Sequence, residues 1–151
     1  MSRQTIINVA AAEVGTKEYP AESNCTKYGE WFGLNGAKWC AIFVSWVYAK
    51  ALHPLGYIDM PKGYAGCQAG YEHWKKLDLL TDTPQMGDIV LYDWDNDDHC
   101  DHTGIFFQWT VEGQTFESYE GNTSVGNNSN GGEVMLRTRN MGSVKAFASV
   151  L

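Results

Sequence analysis

The sequence has few positive charges for its length. Its 11 Lys and Arg residues stand against 18 Asp and Glu residues, so the formal net charge is −7 at pH 7 and the pI is about 4.9. Nucleic-acid-binding proteins carry basic faces, and anionic surfaces attract cationic ones. We therefore expect no nucleic-acid partner and no charge-driven binding to a membrane.

Long apolar runs are also missing. No stretch approaches the ~20 apolar residues of a membrane span. The N-terminus, Met1–Thr5, lacks a charged segment followed by a long apolar one, so we expect no signal peptide and synthesis in the cytoplasm. With 151 residues, 44% of them hydrophobic, the chain fits a single domain over 1–151 with a real core.

There are only four cysteines: Cys25, Cys40, Cys67 and Cys100. Without a signal peptide, free thiols or catalysis are favoured over two disulfides. If Cys40 has to stay free, at most one bridge can form among the other three, and the sequence does not say which.

The pattern of apolar residues changes along the chain. Apolar residues at helical spacing predict helices over Ser2–Val14, Thr26–Phe32, Cys40–Ala51 and Cys67–Leu77. Short β-rich runs predict strands over Asp88–Trp94, Thr103–Trp109, Thr115–Tyr119, Glu133–Arg139 and Val144–Val150, with a loop over 121–132. This order favours an α+β domain, in which N-terminal helices pack on a C-terminal antiparallel sheet.

Cys40 is placed at the start of a helix that is apolar on all sides. The backbone N–H groups and the positive end of the helix dipole at that position favour a thiolate, which is the reactive form of cysteine. The alternative is a small buried hydrophobic residue, the role of most free cysteines. The helix position by itself therefore leaves both interpretations open.

A reactive cysteine needs a base, and His102 is the best placed of four histidines. It opens a predicted strand, and a base at a strand start can pack against a helix N-terminus. His53 precedes a proline at a helix end, His73 lies in a polar helical stretch, and His99 lies in an acidic run. We expect those three to be surface or loop residues.

The base in turn needs an orienting group. In an extended chain, residues two apart point the same way, so Glu120 and Asn122 can both face His102, with Gly121 leaving room. Asp101 and Glu117 are rival carboxylates, but each is expected to point to the opposite side. The alternative for Glu120 is a solvated carboxylate at a strand end.

Four short motifs occur in order along the chain: Trp39–Val44, Gly87–Val90, Asp101–Ile105 and Glu120–Asn122. Together they resemble the CHAP family, the cysteine- and histidine-dependent amidohydrolase/peptidase domains of bacterial and phage wall lysins. The resemblance implies a papain-like α+β fold and cleavage of amide bonds in peptidoglycan by an N-acetylmuramoyl-L-alanine amidase or an endopeptidase at the bacterial cell wall. It implies Cys40 as nucleophile, His102 as base, and Glu120 with Asn122 as orienting groups.

Two tryptophans are candidates for substrate binding. Trp39 adjoins the nucleophile and Trp109 ends a predicted strand, so each could line a groove, and core packing is an equal alternative. We expect the protein to be a monomer. A separate wall-binding domain would help it to reach its substrate, because the net charge does not favour binding to walls.

The acidic run from residue 93 to 102 supports two metal hypotheses. The spacing of Asp93, Asp95, Asp97 and Asp101 resembles part of a calcium loop, although the sharp-turn glycine and the closing glutamate are missing. A solvated acidic turn is the alternative. The cluster His99, Cys100 and His102 would instead suggest a zinc-dependent amidase. A non-catalytic wall-binding module is the remaining alternative.

Overall fold

The computed structural model describes residues 2–124 and 130–151 of the chain. Within these ranges four helices precede a six-stranded sheet, which confirms the predicted α+β class. A 3-10 turn, Met141–Ser143, separates the last two strands. The elements are α1 Ser2–Ala12, α2 Lys27–Phe32, α3 Cys40–Lys50, α4 Cys67–Lys76, β1 Leu80–Thr81, β2 Ile89–Tyr92, β3 His102–Val111, β4 Thr115–Thr123, β5 Glu133–Asn140 and β6 Val144–Ala148.

The sheet is antiparallel at every pairing, in the order β1-β6-β2-β3-β4-β5. The strands from β2 to β5 follow each other as neighbours in the sheet. The pairing places Tyr92 of β2 opposite His102, the first residue of β3. The antiparallel sheet is as predicted, while the likeness to papain stays a prediction.

Some predicted boundaries were wrong. Strand β4 continues to Thr123, whereas the sequence predicts a loop from residue 121. Pairing with β5 extends the strand through this stretch rich in Gly and Asn. Residues 125–129 of that predicted loop lie outside the described residues. Strand β1 was missed since a two-residue strand leaves no periodicity to detect.

The sheet buries apolar side chains on both faces. Along β2, Ile89 and Leu91 belong to the core shared with the helices, whereas Val90 and Tyr92 belong to a second, mainly aromatic cluster. This alternation follows from the two-residue period of a strand. A strand with both faces covered reads as a continuous apolar run, as β2 does.

Helix α3 lies at the centre of the main core. Its residues 40 to 48 are all buried, as the sequence predicted for a helix apolar all round. Within the described ranges, no helix is both long enough and apolar enough to qualify as a membrane span.

A buried ion pair ties α1 to the start of the sheet. Asp88 is fully buried, and its carboxylate accepts a hydrogen bond of 2.7 Å from the guanidinium of Arg3 and another of 2.8 Å from the backbone of Gln85. Arg3 also donates to the carbonyl of Met86 and to Ser149. Arg3 thereby joins helix α1 to the residues just before β2 and just after β6.

We predict that Arg3→Met destabilises the protein by about 2–4 kcal/mol, because it leaves the Asp88 carboxylate buried without its cation. Partial exposure of Arg3 keeps the loss below that of a fully buried pair. Chemical denaturation measures it. Gln4→Met is the matched control, since Gln4 is exposed on the same helix and should cost less than about 0.5 kcal/mol. Equal stabilities for both variants would contradict the prediction.

Candidate active site

Cys40 is the first residue of α3 and is 7% exposed. Burial would raise the pKa of its thiol, but His102 and the backbone N–H groups of Ala41 and Thr103 lower that pKa below its ordinary value. The N–H of Ala41 belongs to the first turn of the helix, where backbone donors have no partner within the helix. The backbone donor at the start of α3 thus adds to the larger effect of His102 on the pKa of the Cys40 thiol.

His102 is fully buried between the nucleophile and a carboxylate. Its Nε2 lies 2.9 Å from Oε1 of Glu120. Its Nδ1 is buried and has no close hydrogen bond to any residue in the described ranges, so it is the nitrogen that remains for Cys40. The structure thus brings three predicted residues together in the order thiol, imidazole, carboxylate.

The charges of this trio support one another. Burial would lower the pKa of His102, yet the Glu120 carboxylate and the Cys40 thiol raise it to about 9. Burial would likewise raise the pKa of Glu120, but His102 and Arg139 lower it to about 2. Opposite charges at short range in a desolvated site outweigh the cost of burying each group. The arrangement favours the pair in which the thiolate lies beside the imidazolium.

Two glycines make room for this geometry. A Cβ on Gly104 would lie 2.6 Å from Cγ of Glu120, so the glutamate reaches His102 by crossing over a residue without a side chain. A Cβ on Gly121 would lie 2.7 Å from Cβ of Phe43, so β4 can approach α3 only with glycine there. The sequence predicts that Gly121 leaves room at the site, but it does not indicate that position 104 also needs a glycine.

Arg139 and Tyr92 also bind Glu120, and sequence reasoning missed both. Nε and Nη2 of Arg139 donate to the two carboxylate oxygens at 3.0 and 2.5 Å, and the hydroxyl of Tyr92 donates at 2.8 Å. One indication of a role for Arg139 is visible in the sequence, because two arginines occur in a strand whose other residues are partly apolar. Its partner could not be inferred, because that depends on the pairing of Phe116 with Arg139 across β4 and β5.

Asn122 is buried near the site but pairs elsewhere. It has a φ of 58° beside an irregularity in the β4–β5 pairing, so the rule that residues two apart share a face does not extend from Glu120 to it. Its amide nitrogen donates to Asn130 at 3.1 Å. The hydrogen bond to His102 comes from Glu120, and an orienting role for Asn122 stays a prediction.

The two tryptophans predicted to bind substrate both pack against other aromatic rings. Trp39 is fully buried, stacks on Tyr28 and donates to Glu18, so the groove interpretation was wrong for its side chain. Trp109 packs edge-on against Phe106 and other rings of the aromatic cluster, which favours the packing alternative. In both cases a large ring completes a core that the short chain could not otherwise fill.

An unforeseen aromatic stack covers the histidine instead. The rings of Tyr92 and Trp94 both stack on His102, at centroid distances of 5.7 and 5.8 Å. They separate the imidazole from solvent, and this desolvation strengthens its interaction with Glu120.

The other three cysteines are free thiols, like Cys40. Cys67 and Cys100 lie side by side, and their hydrogen bond together with burial raises the pKa of the Cys67 thiol. Cys100 also donates weakly to the backbone carbonyl of His102 at 3.5 Å. Of the two buried thiols whose pKa is shifted, only Cys40 is shifted toward the thiolate.

The proposed zinc cluster does not form. His99 is exposed, Cys100 faces the backbone of His102, and the His102 ring is engaged by Glu120. Among the described residues, the His, Cys, Asp and Glu side chains that converge as metal ligands do are the four aspartates alone. Adjacent positions in an extended segment point in different directions, so closeness in sequence did not become convergence in space.

Those four aspartates are the residues that could hold a metal. Oxygen atoms from Asp93, Asp95, Asp97 and Asp101 all lie within 4.8 Å of one another. Partial desolvation and the carboxylates of Asp97 and Asp101 raise the pKa of Asp95. Oxygen ligands of this kind suit a hard cation such as Ca²⁺. Calcium binding here stays a prediction.

If the loop binds calcium, CaCl₂ at ten times the dissociation constant should raise Tm by about 3–6 °C relative to a chelator, because the ion binds only the folded loop. Scanning calorimetry measures the change. Asp95→Asn should abolish it, whereas Asp82→Asn, which alters an exposed aspartate outside the cluster, should retain it. Identical melting with and without calcium would contradict the prediction.

Comparison with known proteins agrees with this geometry. The chain matches the CHAP domain over residues 31–122, more than half of its length. The matched segment contains Cys40, His102 and Glu120, whereas Arg139 lies beyond it. No curated protein matches the chain. By this match the chain belongs to the CHAP domain family, which is associated with amidase and peptidase activity on peptidoglycan.

Proposed function

We propose that the protein is a cysteine-dependent peptidoglycan hydrolase that cleaves an amide bond of the bacterial cell wall. The observation that carries the proposal is the buried series of Cys40, His102 and Glu120 at the start of α3. A nucleophile, a base within reach of it and a group that orients the base are what covalent amide hydrolysis requires. Family membership supports peptidoglycan as the substrate.

The proposed reaction proceeds in two steps. The Sγ thiolate of Cys40 attacks the carbonyl carbon, and backbone N–H groups at the start of α3 stabilise the resulting oxyanion. The imidazolium of His102 gives its proton to the departing amine, leaving a thioester on Cys40. Water then attacks the thioester while His102 accepts a proton, which releases the acid and regenerates the thiolate. Glu120 holds the ring and its positive charge throughout.

The bond attacked is either the N-acetylmuramoyl-L-alanine amide or a peptide bond of the stem or cross-bridge. Both are amides, and the same three side chains would serve both. We propose that the protein acts at the wall as a monomer and that a separate wall-binding domain would increase its activity. The rival hypothesis is a non-catalytic wall-binding module, which the lowered pKa of the Cys40 thiol beside His102 disfavours.

We predict that Cys40→Ser lowers the release of new amino groups from purified walls by roughly 10³-fold or more, because a hydroxyl is a far weaker nucleophile than a thiolate. Mass spectrometry of the released muropeptides identifies the bond. Cys25→Ser is the matched control, since Cys25 lies outside the site and should retain activity. Undiminished lysis by Cys40→Ser would refute the cysteine mechanism, and wall binding without amino-group release by the wild type would favour the binding module.

We predict a bell-shaped dependence of kcat/KM on pH. The reactive pair exists above the lowered pKa of Cys40 and below the pKa of His102 at about 9, so activity rises through the first and falls through the second. Glu120→Gln removes the charge that holds the imidazolium, so its alkaline limb should move to lower pH. Rates that still climb above about pH 10 in the wild type would contradict this assignment.

A further inference from the structure

The carboxylate of Glu120 makes more hydrogen bonds than orienting a histidine requires. Oε1 accepts from Nε2 of His102 and Nη2 of Arg139, and Oε2 accepts from Nε of Arg139 and the hydroxyl of Tyr92. A carboxylate has about four lone-pair sites, so its acceptor capacity is filled. Glu120 is therefore fixed from both oxygens, with Arg139 bound to each.

The fold brings Arg139 to this position from the far end of the sheet order. Arg139 lies on β5 opposite Phe116 of β4, on the side of the ladder from which Glu120 also projects. Its side chain is 8% exposed, and the guanidinium lies over the rings of Trp94 and Tyr92 at 4.9 and 5.7 Å. The same two rings stack on His102, so the guanidinium, the rings and the imidazole form one packed unit.

We propose that Arg139 is a positioning residue of the active site, which keeps Glu120 ionised and aimed at His102 so that the Cys40–His102 ion pair persists in acidic solution. The proposal rests on the proposed function, because it takes Cys40 and His102 as the reacting groups. Arg139 acts through Glu120 and does not itself reach the reacting atoms.

The physical reason is the opposition between burial and charge at Glu120. A fully buried carboxyl group tends to take up a proton, which moves its pKa upward. The imidazolium of His102 opposes this only while His102 is itself charged, and its charge in turn depends on Glu120. Arg139 breaks this mutual dependence, because a guanidinium remains protonated at every pH at which the enzyme would work.

The two-bond geometry adds direction to charge. A guanidinium offers two parallel N–H donors that match the two oxygens of a carboxylate, which prevents rotation of the acceptor. With Arg139 removed, Glu120 would lose two of its four hydrogen bonds and its permanent counter-charge. Protonation of Glu120 would then remove support from the imidazolium, and the thiolate of Cys40 would be lost at a higher pH than in the wild type.

The test follows the alkylation of Cys40 by iodoacetamide as a function of pH in the wild type and in Arg139→Met. Peptide mapping by mass spectrometry separates Cys40 from the other three thiols. On the acid limb, alkylation of Cys40 in the variant should be about tenfold slower, equivalent to a midpoint about one pH value higher. This readout follows the protonation of the site and does not depend on cleavage of any substrate.

Two further variants control the result. Lys50→Met also removes one positive charge, but it does so at the other end of α3, about 15 Å from Cys40 along the helix, and its profile should match the wild type. Arg139→Lys keeps the charge without the planar two-bond fork. Its midpoint should stay near that of the wild type, while its kcat on muropeptide substrates falls several-fold at unchanged KM.

The outcomes separate this inference from the proposed function. A folded Arg139→Met protein whose alkylation profile superimposes on that of the wild type overturns the positioning role. If Arg139→Met does not fold, Arg139→Lys decides, and a wild-type kcat in that variant overturns the role. Alkylation uses no wall substrate, so failure to cleave peptidoglycan would refute the proposed function and leave the alkylation result standing.

Discussion

The hydrogen bond between Glu120 and His102 is the interaction on which the rest of the site depends. Both side chains are fully buried, and the carboxylate of Glu120 opposes the loss of charge that burial would otherwise impose on His102. Together they favour a positive imidazole next to Cys40, and this charge lowers the pKa of the buried thiol. Burial is therefore part of the chemistry, because removing water strengthens the attraction that keeps both groups ionised.

That bond imposes requirements on residues far apart in the chain. Gly104 must lack a side chain for Glu120 to cross it, and Gly121 must lack one for β4 to approach α3. Tyr92 supplies a hydroxyl to the carboxylate and a ring to the imidazole. Arg139 supplies the counter-charge. The second aromatic cluster continues on the same face of the sheet.

The features of the site that could be predicted from the sequence are those that depend on neighbouring residues alone. The start of α3 at Cys40, the start of β3 near His102 and the direction of Glu120 each follow from helical or strand periodicity over a few residues. For Asn122 the two-residue alternation is no guide, because an irregular pairing with a positive φ interrupts it. Trp39 entered the core because Tyr28 and Glu18 of the preceding segments cover it. Neither effect is visible in the residues adjacent to Asn122 or Trp39.

Arg139 shows most clearly what the sequence leaves open. A buried charge needs a partner, so an arginine in a half-buried strand indicates an ion pair. The sequence does not show which residue is the partner. The register of β4 against β5 determines that the partner is Glu120. A shift of one residue in this register would turn Arg139 to the opposite face, away from Glu120. The trio of Cys40, His102 and Glu120 thus follows from the order of motifs, whereas the contact of Arg139 with Glu120 follows from the pairing of two strands. A site of this kind is complete only when the last long strand has joined the sheet.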